Sequence, residues 1–517
     1  MTISTRSRRP RQRPRTRRIR RHENQPMLWP ALRRPGPVFG RRQIKVETYE
    51  RGDITSYGGL SLAHQLAAQL DLDRLINSRV GLIKCPVPYH DSDHVLTHAY
   101  NLYVGGRHIE DIQHLQHSDA SKRLLGACRI PDPTTAGDYL RRFGTDGLHR
   151  LQTAIDEARE KVWRQLRRDQ KQVATIDIDS TVKPVYGQCK QGADFSYTGK
   201  WSYHPLLLTL AQTNEPLRTI NRPGNASSAD GAASALAEIL PRVRRHFKQV
   251  RVRGDTAFYQ RAIIAECERA GVQFAIGMDG YRTLKEKAEH LQKSIWKPFV
   301  EDPQPATVRH VKRRRRRPRC RRRIARRRGY RTLKTTRQWV AEFEYVMPCV
   351  RKIQNHGLAV HRFRVVVKRQ LVEVSEGQDV LFKEYRYRFI ITNIPNRQMD
   401  AAAVVRFAYR RCDQENTIEQ MKNGIQALRM PTGELLSNAA FMMCGQLAWC
   451  LRSWLSLLAL PKETLRYEWD WYRHAFVYVA AKITQSGRQA YVRLAGSHRF
   501  VEHLVTGSLR LKSFEFQ

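Results

Sequence analysis

The chain has 517 residues, 41% of them hydrophobic, which is enough apolar content to fill cores at this length and excludes a wholly disordered protein. Lys and Arg number 92 against 48 Asp and Glu, a formal net charge of +44. Self-repulsion of that size is relieved by a polyanion, so nucleic acid is the leading partner before any motif is read.

The charge is uneven. Residues 1–42 hold 14 Lys/Arg and one acid, Glu23, and show no apolar period; they read as a disordered Arg-rich arm. Residues 309–331 hold 15 Lys/Arg and no acid. The two segments carry +28 of the +44. Such runs are either solvated segments or phosphate-binding ones, and counterion release favours the second.

Residues 43–165 read as helical and suit either a DNA-binding domain or a structural cap. Leu62, Leu66, Leu70, Leu72 and Leu75 fall at roughly helical spacing, and DSDHVLTHAYNLYVGG opens on Asp and ends at a Gly pair. From residue 173 the period changes. VATIDIDST alternates and is β-branched, so it predicts a strand. YHPLLLTLAQ and PLRTINRPG follow as strands, and SADGAASALAEILPRVRRHF as a helix with a Ser/Asp start. QVRVRGDTAF, QRAIIAECERAG and VQFAIGMD then read as strand, helix and strand. This is an α/β layout over 166–280. Residues 281–384 lose the rhythm and hold the basic run and strand-like stretches. YRYRFIIT is a strand again, and Asp400–Leu428 reads as one long helix within 385–460. Residues 461–517 read as a helical C-terminal region.

Nine Cys, without a C-x-x-C pair or zinc-ligand spacing, indicate reduced thiols and a cytoplasmic protein. The most apolar stretch, Phe441–Leu460, contains Gln446 and Arg452 and so predicts a buried helix and no membrane span.

Candidate chemistry sits on acids near strand ends. Asp177 and Asp179 are two apart and point to one face; a buried charge there persists most easily beside a cation. Asp255 ends a second strand. Glu415, Glu419 and Lys422 fall at i, i+4 and i+7 of the expected helix. Oxygen ligands without His or Cys suit Mg²⁺ or Mn²⁺, and two such ions act on a phosphodiester.

Five segments in this order, DIDST, GKWSYHPLL, NRPGNASSADGA, VRGDTAFY and YRRCDQENTIEQMKNG, resemble the DDE transposases of bacterial insertion sequences, and look closest to the insertion-sequence family designated 1380. The resemblance runs from about residue 44 to near the C-terminus. It implies an RNase H-like catalytic core with a mainly β insertion between the second and third catalytic acids, behind a helical N-terminal DNA-binding domain. It also implies two Asp and one Glu as catalytic and metal-binding residues. The first corresponds to Asp179, because related enzymes place it directly before Ser or Thr, with Asp177 as the fallback. The second corresponds to Asp255 and the third to Glu415, with Glu419 as the runner-up. Related enzymes carry a Tyr-Arg-Glu-Lys signature around this Glu. Arg411, Glu415 and Lys422 match its spacing, while Tyr409 stands one residue too close to Arg411; these are the candidate DNA contacts. The resemblance further implies double-stranded DNA as partner (terminal inverted repeats and target) and a homodimer on paired ends, in a bacterial, nucleoid-associated setting. An inactive DNA-binding descendant and a nuclease without strand transfer are the alternatives.

Overall fold

A computed structural model describes residues 52–301, 331–347, 362–376, 379–410, 412–486 and 489–516. The expected arm at 1–42, all but the last residue of the basic run, and Arg411 lie outside the described residues.

A short strand, β1 (Ile54–Thr55), precedes seven helices: α1 (Leu60–Gln69), α2 (Leu72–Arg79), α3 (Asp91–Tyr103), α4 (Gln113–Gln116), α5 (Asp119–Leu124), α6 (Pro133–Leu140) and α7 (Thr145–Gln165). Their starts follow local chemistry. His90 caps α3, and its backbone N–H donates to Asp93 at 2.8 Å. Asp132 caps α6, accepting from Thr135 N at 3.0 Å, with Pro133 at the first helical position.

Nine strands then build one mixed sheet. β2 (Val173–Ser180), β6 (Leu206–Leu210), β7 (Glu215–Ile220), β8 (Gln249–Gly254) and β9 (Gln273–Met278) come from the expected α/β region. β10 (Lys297–Pro298), β11 (Arg331–Val346) and β12 (Arg362–Glu376) come from the segment that lost the rhythm, and β13 (Asp379–Thr392) joins its last residues to the strand expected at YRYRFIIT. Between β2 and β6 lie β3 (Lys183–Pro184), β4 (Asp194–Phe195) and β5 (Trp201–Tyr203), a separate small sheet. The large sheet runs β10-β11-β12-β13-β9-β8-β2-β6-β7. β2, β8 and β9 are parallel; β6 runs against β2, and β7 against β6. The strands of 281–392 thus extend the central sheet through the antiparallel β13–β9 pair and form no layer of their own.

Period-2 alternation decides what each face meets. Ile176, Ile178, Leu206, Leu208 and Leu210 pack with Leu236, Ile239 and Leu240 of α8 (Ala232–His246) and with α9 (Arg261–Arg269). The expected Ser/Asp start of α8 is a correction: Gly231, at φ +74°, precedes the helix and no side chain caps it. After α10 (Arg282–Glu289), the expected single helix over 400–428 is also corrected. It is α11 (Ala401–Tyr409), α12 (Cys412–Glu419) and a wide π-turn over Gln420–Gly424.

α13 (Leu435–Leu458) is buried along most of its length, as its polar residues foretold. Gln446 Nε2 donates to Leu217 O at 3.2 Å, and Arg452 Nη2 to Thr464 O at 3.2 Å. No helix among the described residues is long and apolar enough to cross a membrane. One core joins α1–α7 to α13 and to α14 (Trp469–Phe476) and α15 (Val501–Leu511). The helical expectation for 461–517 fails between these last two helices. There β14 (Ala481–Ser486) pairs with β15 (Gln489–Leu494) and with β1, and its Ala481 and Ile483 are buried.

Candidate active site

Ligands of open α/β sheets gather at the carboxyl ends of the parallel strands. β2 and β8 are neighbours there, with Ile178 opposite Gly254, so Asp179 and Asp255 follow at one level. Strands of one sheet lie about 4.8 Å apart, which brings these two acids side by side. Asp255 caps the single turn Thr256–Phe258, accepting from Ala257 N at 2.9 Å, and the buried Phe258 ring anchors that turn. The turn passes close over β9: a Cβ on Gly277 would meet Thr256 N at 2.9 Å. Asp179 accepts from Ser180 N at 2.8 Å.

Ser180 Oγ meets Nε2 of the buried His204 at 3.1 Å, and His204 Nδ1 meets the Ala226 carbonyl at 2.8 Å. A carbonyl only accepts, so Nδ1 carries the proton and Nε2 accepts from Ser180. Burial holds this imidazole below its ordinary pKa, which favours that neutral form.

One step back along each strand, Asp177 and Arg253 face each other. Arg253 donates to both carboxylate oxygens, at 2.5 and 2.7 Å, and both residues are buried. Its remaining nitrogen donates to Phe407 O at 2.8 Å, and the guanidinium lies over the Phe407 ring at 5.0 Å. The cation expected beside a buried Asp is therefore Arg253, and it occupies Asp177, the fallback. Arg253 thereby ties the last turn of α11 to β8.

α12 lies across β2 and β6. Gln414 Nε2 donates to Asp177 O at 2.9 Å and to Leu207 O at 3.3 Å. Its neighbour Glu415 is exposed. Among the described residues no three His, Cys, Asp or Glu side chains gather closely enough to make a metal site. The register thus sets Asp179 and Asp255 at adjacent strand ends, and Glu415 follows Gln414 on the helix seated on β2. Glu419 accepts from Asn423 at 3.0 Å. The π-turn widens the helix after Glu419, so Lys422 departs from the expected i+7 face. Its ammonium donates to Val182 O at 3.2 Å, just past Asp179. Burial holds Lys422 below the usual lysine range, while Glu419 and Asp179 act in the opposite direction. Lys422 is therefore the cation in the field of Asp179.

Tyr409 points elsewhere. Its hydroxyl is buried, and its ring sits under the Lys368 ammonium at 4.5 Å and the Arg388 guanidinium at 5.9 Å. Sequence reasoning missed Arg253, His204 and Gln414. Arg253 stood two residues before Asp255 on its strand, a spacing that marks a shared face; His204 and Gln414 carried no comparable signal.

Two carboxylates stand at adjacent parallel strand ends, with an acid-bearing helix seated across β2 and β6. The chain belongs to the family described as Transposase DDE domain group 1, which it matches over residues 37–515. It is a DNA transposase, and the DDE domains of such enzymes generally use divalent metal ions. No curated protein matches the chain. Among solved structures, it is similar to a piggyBac transposase synaptic complex with hairpin DNA. Identity is 9% over 80% of this chain and 81% of that one, with a TM-score of 0.33.

Proposed function

We propose that the chain is the transposase of a bacterial insertion sequence of the kind designated 1380. In this reading it cuts DNA at the terminal inverted repeats of its element and joins the 3′-OH ends to target DNA. The observation that carries the reading is the Asp179–Asp255 pair at the ends of β2 and β8, with α12 seated on β2 through Gln414. The order β9-β8-β2-β6-β7, with β6 alone reversed, supports an RNase H-like core.

Asp179, Asp255 and Glu415 are oxygen donors only, a set that suits Mg²⁺ or Mn²⁺, and two ions are expected. Bound there, they would supply Lewis-acid activation and charge neutralisation at an in-line phosphoryl transfer. The chain's own part is positioning. Arg253 braces the strand ends and clamps α11, Gln414 seats α12, and His204 orients Ser180 next to Asp179. Lys422, with Arg411, would hold phosphates, which positions DNA without reading its sequence. Repeat recognition falls to the helices of 43–165 and to the insertion at 281–384, and two copies would pair two ends.

The test is cleavage of terminal-repeat DNA with Mg²⁺ by Asp179→Asn, Asp255→Asn, Glu415→Gln and Glu419→Gln. The first three should fall to background and the fourth should still cut. A folded variant that reverses its expected outcome reassigns that acid. Cutting without joined product would identify a nuclease, and no cutting by the unaltered chain an inactive descendant.

A further inference from the structure

The strand that carries Asp179 runs directly into the small sheet, ordered β3-β5-β4. β4 and β5 are joined by a tight turn in which Gly199 N donates to Ser196 O at 2.8 Å and Gly199 takes φ +71°. Tyr197 sits at the tip of that turn and is 79% exposed. Phe195 is 64% exposed and Tyr186 91%. Three large rings left in water on one short segment are apolar surface that folding does not use, which marks an interaction site.

The rings are held in place. Trp201 Nε1 donates to Gly187 O at 3.1 Å and ties the Tyr186 turn to β5. Phe195 meets the Trp201 ring edge-on at 5.5 Å. Tyr197 lies against His204 at 5.7 Å, and His204 is the residue bonded to Ser180 beside Asp179. The row of rings therefore begins at the candidate active site. Cations accompany it. Among the described residues, Lys183 and Lys200 have no carboxylate within salt-bridge distance, and both lie in the field of Lys422. Burial holds Lys183 below the ordinary lysine range, and Lys422 and Arg429 push it the same way. An anion relieves that concentration of charge.

Duplex DNA offers phosphates but hides its base faces. Exposed rings interleaved with lysines suit unpaired nucleotides, whose bases stack while the backbone follows the charges. We propose that this flap binds unpaired bases of DNA next to the cleaved bond. Tyr186, Phe195 and Tyr197 would take base faces, and Lys183 and Lys200 the phosphates between them. The proposal rests on the transposase reading for its occupant, since a cut end frays into unpaired bases more readily than an intact duplex.

The test uses the full chain without divalent metal. One probe is a single strand of oligo-dT, about twenty nucleotides long, carrying 2-aminopurine; the other is a blunt duplex of equal length. The triple variant Tyr186→Ala/Phe195→Ala/Tyr197→Ala should bind the single strand about tenfold weaker or worse and lose the quenching of 2-aminopurine that stacking produces. Its duplex affinity should stay within about twofold, because phosphate contacts dominate there. The variant Tyr186→Phe/Tyr197→Phe should keep both affinities. Unchanged single-strand binding by the alanine variant, or equal losses on both probes, overturns the proposal. So does loss of self-association by that variant with single-strand binding intact, which assigns the rings to contact between copies. Asp179→Asn should retain single-strand binding, so a failed cleavage chemistry and a failed stacking surface give different results.

Discussion

Asp177→Asn separates structure from chemistry within the DID segment. The substitution keeps the side-chain shape and removes one charge. Arg253 then stays buried opposite an amide, which accepts one hydrogen bond where the carboxylate accepted two. Breaking a buried ion pair by removing one partner costs about 3–5 kcal/mol, because the remaining charge is stranded. The surviving bond to the amide and the bond to Phe407 O place the expected loss near the lower figure, about 3 kcal/mol. Urea denaturation of the full chain measures it. Arg253→Met alone should cost a similar amount. The double variant leaves no stranded charge, so it should be less destabilised than the sum of the singles by about 1–3 kcal/mol. Asp179→Asn, on the half-exposed end of the same strand, should leave the denaturation midpoint nearly unchanged and abolish cleavage. An Asp177→Asn protein as stable as the parent but unable to cut would refute the assignment and restore Asp177 as the first catalytic acid.

Deleting residues 1–42 should weaken DNA binding most at low salt and flatten the plot of log affinity against log salt; an unchanged slope would show the arm to be idle. Glu215→Ala should cost about 3–5 kcal/mol in the same denaturation assay. Its buried carboxylate accepts from Arg159 at 3.2 Å, Trp163 at 3.0 Å and Trp454 at 2.8 Å, and a loss under about 1 kcal/mol would mean those groups find other partners. His98, fully buried on α3, is pushed down to about 4 by burial, against the Ala136 carbonyl that opposes the shift. The unfolded chain therefore takes up the proton first. The stability from keeping His98 neutral is present above pH about 6.5 and lost as the pH falls toward about 4. Thermal midpoints across that window should drop, and His98→Asn should drop less steeply; parallel curves would exclude His98 as the source.

Local period was enough to find most strands, because burial on both faces or one leaves its mark on neighbouring residues. It was enough for α13, where Gln446 and Arg452 interrupt an otherwise apolar run. It did not decide between Asp177 and Asp179. Alternation puts both on one face, and only Arg253, on a strand 76 residues further along, takes one and leaves the other at the strand end. The tie between α11 and β8 was hidden for the same reason, since the donor to the Phe407 carbonyl arrives from a distant strand. The β14–β15 hairpin left little local signal, since KITQS and QAYVRL do not alternate strictly, and its pairing with β1 joins residues more than 400 apart. The continuity of β10–β13 with the central sheet rests on one antiparallel junction between β13 and β9, a pairing that no local pattern specifies.

The helices of 60–165 raise a different question, because their inner faces are committed. Leu151 and Ile155 of α7 share a core with Leu447 and Leu451 of α13, and Arg159 reaches Glu215 on β7. Only their outer faces remain for DNA, and there some cations are paired: Arg74 with Asp71, Arg79 with Glu157, Arg141 with Asp138, Arg150 with Asp146. Exposed pairs of this kind contribute about 0–1 kcal/mol each, so a phosphate displaces the acid at little cost. But each displaced acid remains nearby and repels the same phosphate, so these pairs add little affinity from charge alone, and Arg107, Arg123, Arg129 and Arg142, exposed and without a carboxylate within salt-bridge distance among the described residues, are the better phosphate contacts. Lys183 and Lys200 carry no such counterweight within salt-bridge distance among the described residues, whereas Lys422 has Glu419 and Asp179 in its field. On the proposed reading the grip on DNA divides by kind: Lys183 and Lys200 would act beside the site, while the arm and the basic run, +28 between them, would set the salt dependence. Whatever the helices contribute to choosing a DNA sequence has to come from shape and hydrogen bonding on their outer faces.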